Sequence, residues 1–294
     1  MPTINQPHTH QRKKVLFIAE AVTLAHVGRM LTLASGLNPD QFEVLVAADP
    51  RYNKAIGTPD CKLTSIRTIS SEHFFAALDG GKPIYNRDIL VSYVEQDLQL
   101  IDSFKPDVVV GDFRLSLAAS ARLAKIPYIN VTNAYWSPYA KIKYLVPEIP
   151  LTRIAGVTVA QWLFNLVQPI AFAMHAQPIN AMLKHYGLPG VSRDLRDAYT
   201  TGDWTCYADS PELVPTSQLP ANHRFIGPIF WSAPLPLPEW WNNIPNDRPV
   251  IYANLGSSGH GHLLPIVLEA LANQPYSVIA ATAGRVQINS PASN

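Results

Sequence analysis

Apolar runs and segments of helical spacing alternate along the first two thirds of the chain. Residues 15–18 are apolar and flanked by Arg12, Lys13 and Lys14, the pattern of a buried parallel strand. Val27, Met30, Leu31, Leu33, Ala34 and Leu37 then recur at helical spacing, and Gly36 with Asn38-Pro39 stops that helix. A second apolar strand is expected over 42–48, closed by Asp49-Pro50, and a third over 61–66. Ile89, Leu90, Tyr93, Val94, Leu98 and Ile101 predict a helix within 85–104. Strand 108–112, helix 115–125 and strand 127–131 follow, and 203–208 and 224–227 supply the last strands of this half. Strands separated by single helices indicate an α/β fold, a doubly wound parallel sheet of Rossmann-like type.

Two later stretches break this rhythm. Between Ile154 and Leu183 there is no Asp, Glu, Lys or Arg. The length suffices for a membrane span. Scattered Gln161, Asn165, Gln168, His175, Gln177 and Asn180, with Pro169 and Pro178, favour instead a bent helix or helix pair. Its Trp162, Phe164, Leu166, Phe172 and Met174 would line either an apolar groove or ordinary core. Prolines cluster from 211 to 249, and 228–248 reads as a linker. Its Trp231, Trp240 and Trp241 would pin it to a domain in preference to stacking on a sugar. Strand 250–255, the loop Gly256-Ser257-Ser258-Gly259, helix 263–272 and strand 276–281 then open a second sheet. The expected organisation is a disordered tail over 1–12, a domain over 13–227, the linker, and the truncated start of a second domain over 249–294. Two strands and one helix expose apolar faces, so the first domain, a second chain or further sequence is expected to cover them.

Composition narrows the class of partner. Lys and Arg number 23 against 22 acids, with no basic run, so no nucleic acid is expected. Residues 1–11 are polar and do not form a signal peptide. Cys61 and Cys206 stand apart without metal-ligand spacing; they suit a reducing, cytoplasmic setting, with a single disulfide as the alternative.

Candidate chemistry lies where strands end. His26 falls at the junction between the first strand and its helix, and Asp112 ends the strand over 108–112. In a doubly wound sheet both sit at the carboxyl edge, where ligands bind. His26 is either a helix-end histidine or a general base kept neutral by the helix N-terminus. Asp112 is either the cap of the following helix or the acid that orients the ring. Asp49 reads as a turn residue, because no G-x-G-x-x-G follows the first strand. The glycine-serine loop at 256–259 could hold a phosphate through backbone N–H groups.

Five motifs, in order, carry a resemblance. Ala25-His26-Val27-Gly28-Arg29-Met30 is similar to G-H-V-N-P-x-L, departing at Ala25, Gly28 and Arg29. Residues 106–112 resemble P-D-x-V-x-x-D, 124–128 resemble A-x-x-x-I-P, 225–228 resemble F-x-G-P, and 249–257 resemble P-x-V-Y-x-S-x-G-S. Together they resemble the nucleotide-sugar-dependent glycosyltransferases of the two-domain GT-B kind that act on small lipophilic acceptors. The match takes in the N-terminal domain and the start of the C-terminal one. It implies inverting transfer of a hexosyl group from a nucleotide-diphosphate sugar, UDP- or dTDP-linked, to an acceptor hydroxyl. By resemblance His26 is the base and Asp112 its orienting acid. Gly256, Ser257 and Ser258 lie near the donor phosphates, and Trp162, Phe164, Phe172 and Met174 shape the acceptor pocket. Neither metal nor resident cofactor is implied. Departures weigh against full activity: no H-G-G follows Ser257, and most of the family's donor site is missing. Expected partners are therefore a lipophilic acceptor, a nucleotide sugar and a second chain completing the donor domain, with peripheral membrane contact compatible with a lipid acceptor. The alternatives are a non-catalytic acceptor-binding or auxiliary protein derived from such an enzyme, and a sugar-nucleotide epimerase, against which the apolar stretch argues.

Overall fold

A computed structural model describes residues 11–146, 150–256, 260–284 and 286–288. The chain divides into two compact units, Met1–Ala233 and Pro234–Asn294.

The first unit is built on seven parallel strands: β1 (Lys13–Ala19), β2 (Phe42–Ala48), β3 (Lys62–Ser65), β4 (Val108–Asp112), β5 (Tyr128–Thr132), β6 (Trp204–Tyr207) and β7 (His223–Phe225). Their order is β3-β2-β1-β4-β5-β6-β7. The chain winds outward from β1 in one direction, then returns to β4 and winds the other way. The reversal between β1 and β4 opens a crevice at their carboxyl ends, where Ala19 is the register partner of Asp112.

Alternation along the strands builds two cores. Val15, Phe17 and Ala19 of β1 join Val46 and Val110 against Val27, Met30, Leu31 and Ala34 of α1 (Leu24–Ser35). Leu16 and Ile18, on the opposite face, join Val109 and Tyr128. There they meet Ile101 of α4 (Arg87–Phe104) and Leu117 and Ala121 of α5 (Leu117–Ala124). Local signals set the helix ends. Asn86 accepts from the Ile89 amide at 2.8 Å to start α4, and left-handed Lys105, followed by Pro106, ends it. Two helices lie where the periodicity gave no prediction: α2 (Asn53–Ile56), and α3 (Ser71–Asp79), which Ser70 caps. Asp49 accepts from the Arg51 amide at the turn it was expected to make. Both cysteines are free and half-buried; burial pushes their thiols up in pKa.

The charge-free stretch forms α6 (Pro150–His185), broken at Gly156, where φ is 78°. Its last turns do enter the core: Ala176, Ile179, Met182 and Leu183 are buried, the last three packing with Tyr93 of α4 and Ala119 of α5. The earlier turns do not form ordinary core, one of the two expected linings. Trp162, Leu166 and Met174 are exposed, Trp162 at 66%, because apolar residues surround the helix on all sides and only one face can meet the sheet layer. By length and composition, residues Leu151–His185 would suffice to cross a membrane. Then α7 (Leu195–Ala198) precedes β6.

The start of the expected linker belongs to the first unit. Ile229 and Trp231 pack on the α1 core. The Trp231 indole lies so near Gly28 that a Cβ there would stand 2.8 Å from it. Trp231 thus pins the segment, as expected. In the second unit, β8 (Val250–Asn254) pairs in parallel with β9 (Ser277–Ala281) through α8 (Leu263–Leu271). Trp240 and Trp241 lie in a short 3-10 turn of this unit, their rings 5.9 Å apart.

Candidate functional site

β1 delivers the loop that leads into α1, and His26 is the third residue of that helix. β4 ends in Asp112, which is 1% exposed. Across the crevice His26 Nδ1 and Asp112 Oδ1 stand 2.9 Å apart. Asp112 therefore does not cap α5, whose N-cap position is Ser116. A neutral imidazole donating from Nδ1 to the carboxylate keeps the lone pair of Nε2 for a proton, the arrangement a general base needs.

A third group completes the cluster. Arg29 lies one helical turn from His26. Its Nη2 donates to Asp112 Oδ1 at 2.9 Å and stands 3.0 Å from His26 Nδ1. Its Nε approaches Asp112 Oδ2 to 2.8 Å, at an angle that leaves both atoms without a hydrogen bond. Arg29 Nη1 donates to Asn133 Oδ1 at 2.9 Å, and Asn133 Nδ2 donates to Asp209 Oδ1 at 3.0 Å. Asn133 follows β5 and Asp209 follows β6, so one polar chain links the carboxyl ends of β4, β5 and β6. Arg29 is visible in the sequence only as a departure from the motif. Asn133 and Asp209 satisfy the same strand-end rule that singles out Asp112.

Aromatic residues floor the His26 ring. The His26 ring stacks on Phe113 with centroids 5.2 Å apart, and Phe113 stacks on Tyr199 at 5.5 Å. Trp136 meets Tyr199 at 5.5 Å. Phe113 holds φ at 57°, a left-handed conformation uncommon for an aromatic residue and costing about 1–3 kcal/mol. The strain turns its ring under His26 directly after Asp112. No periodicity in the sequence signals it.

Below lies a buried ionic cluster. Glu20, one residue past β1, Asp97 of α4 and Arg114 are all fully buried. Arg114 Nη1 donates to Glu20 Oε2 at 3.1 Å and Nε donates to Asp97 Oδ1 at 3.0 Å. Tyr93 Oη donates to Glu20 Oε1 at 3.1 Å, and Ser116 and Ser120 donate to Asp97. Burial pushes both carboxyls up in pKa, opposed by Arg114. Burial also works against the Arg114 charge, but Asp97 and Glu20 outweigh it and raise that group. The backbone N–H of Glu20 donates to the Asp112 carbonyl at 3.0 Å, which ties this cluster to the His26–Asp112 pair.

The remaining candidates are less closely gathered. Phe172 meets Tyr144 edge-on at 5.5 Å, and Arg196 lies 5.5 Å from the Phe172 ring. Phe164 is partly exposed, while Trp162 and Met174 are exposed. Gly256, two residues past β8, holds φ at 70°, and its N–H donates to Asn254 Oδ1 at 2.7 Å. Ser257 and Ser258 lie outside the described residues.

The chain matches no family model. It is 48% identical over 284 residues to a PGL/p-HBAD biosynthesis rhamnosyltransferase of Mycobacterium bovis, covering 97% of this chain and 63% of the relative. It thus spans less than two thirds of that enzyme. A second M. bovis relative, named an inactive PGL/p-HBAD biosynthesis glycosyltransferase, is 47% identical over 261 residues, covering 89% of this chain and 71% of the relative. Among solved structures, the glycosyltransferase of kitacinnamycin superposes with a TM-score of 0.61 at 19% identity, covering 95% of this chain and 68% of that one. That likeness bears on the fold, which is the GT-B architecture expected from the motifs. At 47% identity over 71% of the second relative, the chain belongs to the glycosyltransferase family of these relatives.

Proposed function

We propose that this chain carries the acceptor half of an inverting glycosyltransferase. Its activity is transfer of a hexosyl group from a nucleotide-diphosphate sugar, UDP- or dTDP-linked, to a hydroxyl of a lipophilic acceptor. The observation that supports this most directly is the 2.9 Å contact between His26 Nδ1 and buried Asp112 at the carboxyl edge of the sheet. His26 Nε2 takes the acceptor proton as the acceptor oxygen attacks the anomeric carbon from the face opposite the leaving nucleoside diphosphate. Asp112 holds the ring and balances the charge it gains. The C–O bond to the acceptor forms as that to the diphosphate breaks. Gly256, Ser257 and Ser258 are assigned to the donor phosphates on motif alone. Trp162, Phe164, Phe172 and Met174 are assigned to the acceptor on their apolar character, and Phe113 supplies an aromatic ring beside His26.

The test is transfer from UDP- and dTDP-sugars to hydrophobic alcohols and phenols, followed by mass spectrometry. It uses the chain alone and the chain joined to the segment by which the rhamnosyltransferase exceeds it. General base catalysis contributes typically about 10²–10⁴-fold, so His26→Ala should lower kcat by that factor with acceptor binding retained. Transfer at near-normal rate in His26→Ala would refute the role given to His26. The second reading, a non-catalytic acceptor-binding or auxiliary protein, is favoured by the relative named inactive. It requires acceptor binding with no transfer from either form of the chain.

A further inference from the structure

His26 Nδ1 has two polar neighbours at nearly equal distance, and they make opposite demands on it. Asp112 Oδ1, at 2.9 Å, is an acceptor and calls for a hydrogen on Nδ1. Arg29 Nη2, at 3.0 Å, is a donor and calls for a lone pair there. The first arrangement leaves Nε2 bare and able to take a proton. The second puts the ring hydrogen on Nε2 and removes the base. Which one holds depends on Asp112 being an ionised acceptor.

Arg29 supplies that condition. Asp112 is 1% exposed, and its described side-chain hydrogen bonds come from His26 and Arg29 alone. Arg29 in turn is held from the other side by Asn133, which Asp209 anchors. A buried carboxylate that loses its cation is costly unless it gains a proton. That proton settles in the 2.9 Å contact with His26 Nδ1, on the carboxyl or on the ring, and in either place the ring's other hydrogen is on Nε2.

We propose that Arg29 is the positioning residue that sets the tautomer of His26, by holding Asp112 as a charged acceptor through the Asn133–Asp209 anchor. This rests on His26 being the base of the transfer reaction. Other charges facing the ring do not take over the task. Glu20 is paired with Arg114, and the neighbour on the ring face is Phe113, which carries no proton donor.

The decisive measurement is 15N NMR of the chain labelled at histidine, with His26 assigned by its loss in His26→Ala. In the parent chain Nε2 should be pyridine-like and Nδ1 pyrrole-like. In Arg29→Met Nε2 should lose its pyridine-like character, with Nδ1 either pyridine-like or, where the shared proton lies on the ring, imidazolium-like. In the chain joined to the donor-binding segment, kcat should fall at least about tenfold with KM within about twofold, as loss of a general base requires. Arg29→Lys restores the charge and should return Nε2 to pyridine-like character and most of kcat. Should Arg29→Met not fold, Arg29→Gln, which fills similar space without charge, carries the same expectation. A pyridine-like Nε2 in the folded uncharged variant, or an unchanged kcat, overturns the proposal. The reading beneath it fails separately: normal transfer by His26→Ala removes the base assignment, whatever the NMR of the Arg29 variants shows.

Discussion

Replacing Arg114 with Met tests whether the buried ionic cluster is the support on which the candidate site stands. Met fills much of the same space but leaves Glu20 and Asp97 without their cation. In the parent fold Arg114 donates to Asp97, Glu20, the Arg67 carbonyl and Gln96, and its guanidinium lies 3.7 Å from the Tyr93 ring centroid. All three charged groups are fully buried. Removing one partner of such a cluster costs roughly 3–5 kcal/mol, mostly because the abandoned carboxylates have no water to turn to. At a urea m-value near 2 kcal/mol per molar, the midpoint should fall by about 2 M at pH 7. The pH dependence distinguishes this cause from simple packing loss. Burial holds the carboxyls of Glu20 and Asp97 above their ordinary values of 4.5 and 3.8. Their pKa values are thus higher folded than unfolded. Whatever stability they contribute is fully present below the ordinary range and is lost as pH rises through the folded values. Without Arg114 that loss is steeper, so the deficit of Arg114→Met should shrink as pH falls toward about 4.5, near the ordinary carboxylate range. Urea unfolding followed by circular dichroism at both pH values reads this directly. A deficit under about 1 kcal/mol at pH 7, or one equal at both pH values, would show that the cluster is not held by its charge balance.

Two further outcomes follow from packing and protonation. Gly28→Ala places a Cβ 2.8 Å from the Trp231 ring, so Trp231 should be displaced and its fluorescence should shift to the red, at a cost of about 1–3 kcal/mol; unchanged emission would mean the Trp231 seat is not tight. Burial depresses the pKa of both His175 and His223 below the usual 6.5, so the stability they contribute is present above that value and lost as pH falls through the folded values. Parent melting temperature should therefore fall between pH 7.5 and pH 5 by more than that of a His175→Gln, His223→Gln double variant, and parallel curves would refute it.

The strands and the helices between them were legible because burial on two faces leaves continuous apolar runs, and one-sided burial leaves 3.6-residue spacing. β1, β2, β4, β5 and their helices all follow that rule. The meeting of His26 with Asp112 was legible for a related reason: both sit where strands end, and strand ends are readable. α6 was only half legible. Its residues are apolar on every side, so periodicity could not say that Met182 and Leu183 reach the core while Trp162 and Leu166 stay exposed. The rest of the site was hidden because it rests on distant pairings. Glu20, Asp97 and Arg114 meet only when β1, α4 and the turn after β4 are assembled. Phe113 is placed by a backbone torsion, which an amino-acid string does not record.

The departures from the family motif at residues 28 and 29 are best understood through what each touches. Gly28 leaves the space in which Trp231 sits, and Arg29 occupies the buried face of Asp112. Neither is a vacancy left by a lost contact. The Asp112 group is also a poor device for stability. A buried ion pair of this kind returns little over a well-packed apolar pair of the same volume, because desolvation offsets most of the attraction. The same holds more strongly for Phe113, whose left-handed backbone costs free energy that an apolar residue in a relaxed turn would save. A chain needing only a stable sheet would gain from neither. Strained backbone, a buried carboxylate, a guanidinium and an imidazole converge on one crevice at the strand reversal. That convergence is what the proposed chemistry at His26 Nε2 calls for, and packing alone does not require it. It therefore favours the transferase reading over the auxiliary one, and it makes His26 and Arg29 the first two positions to change.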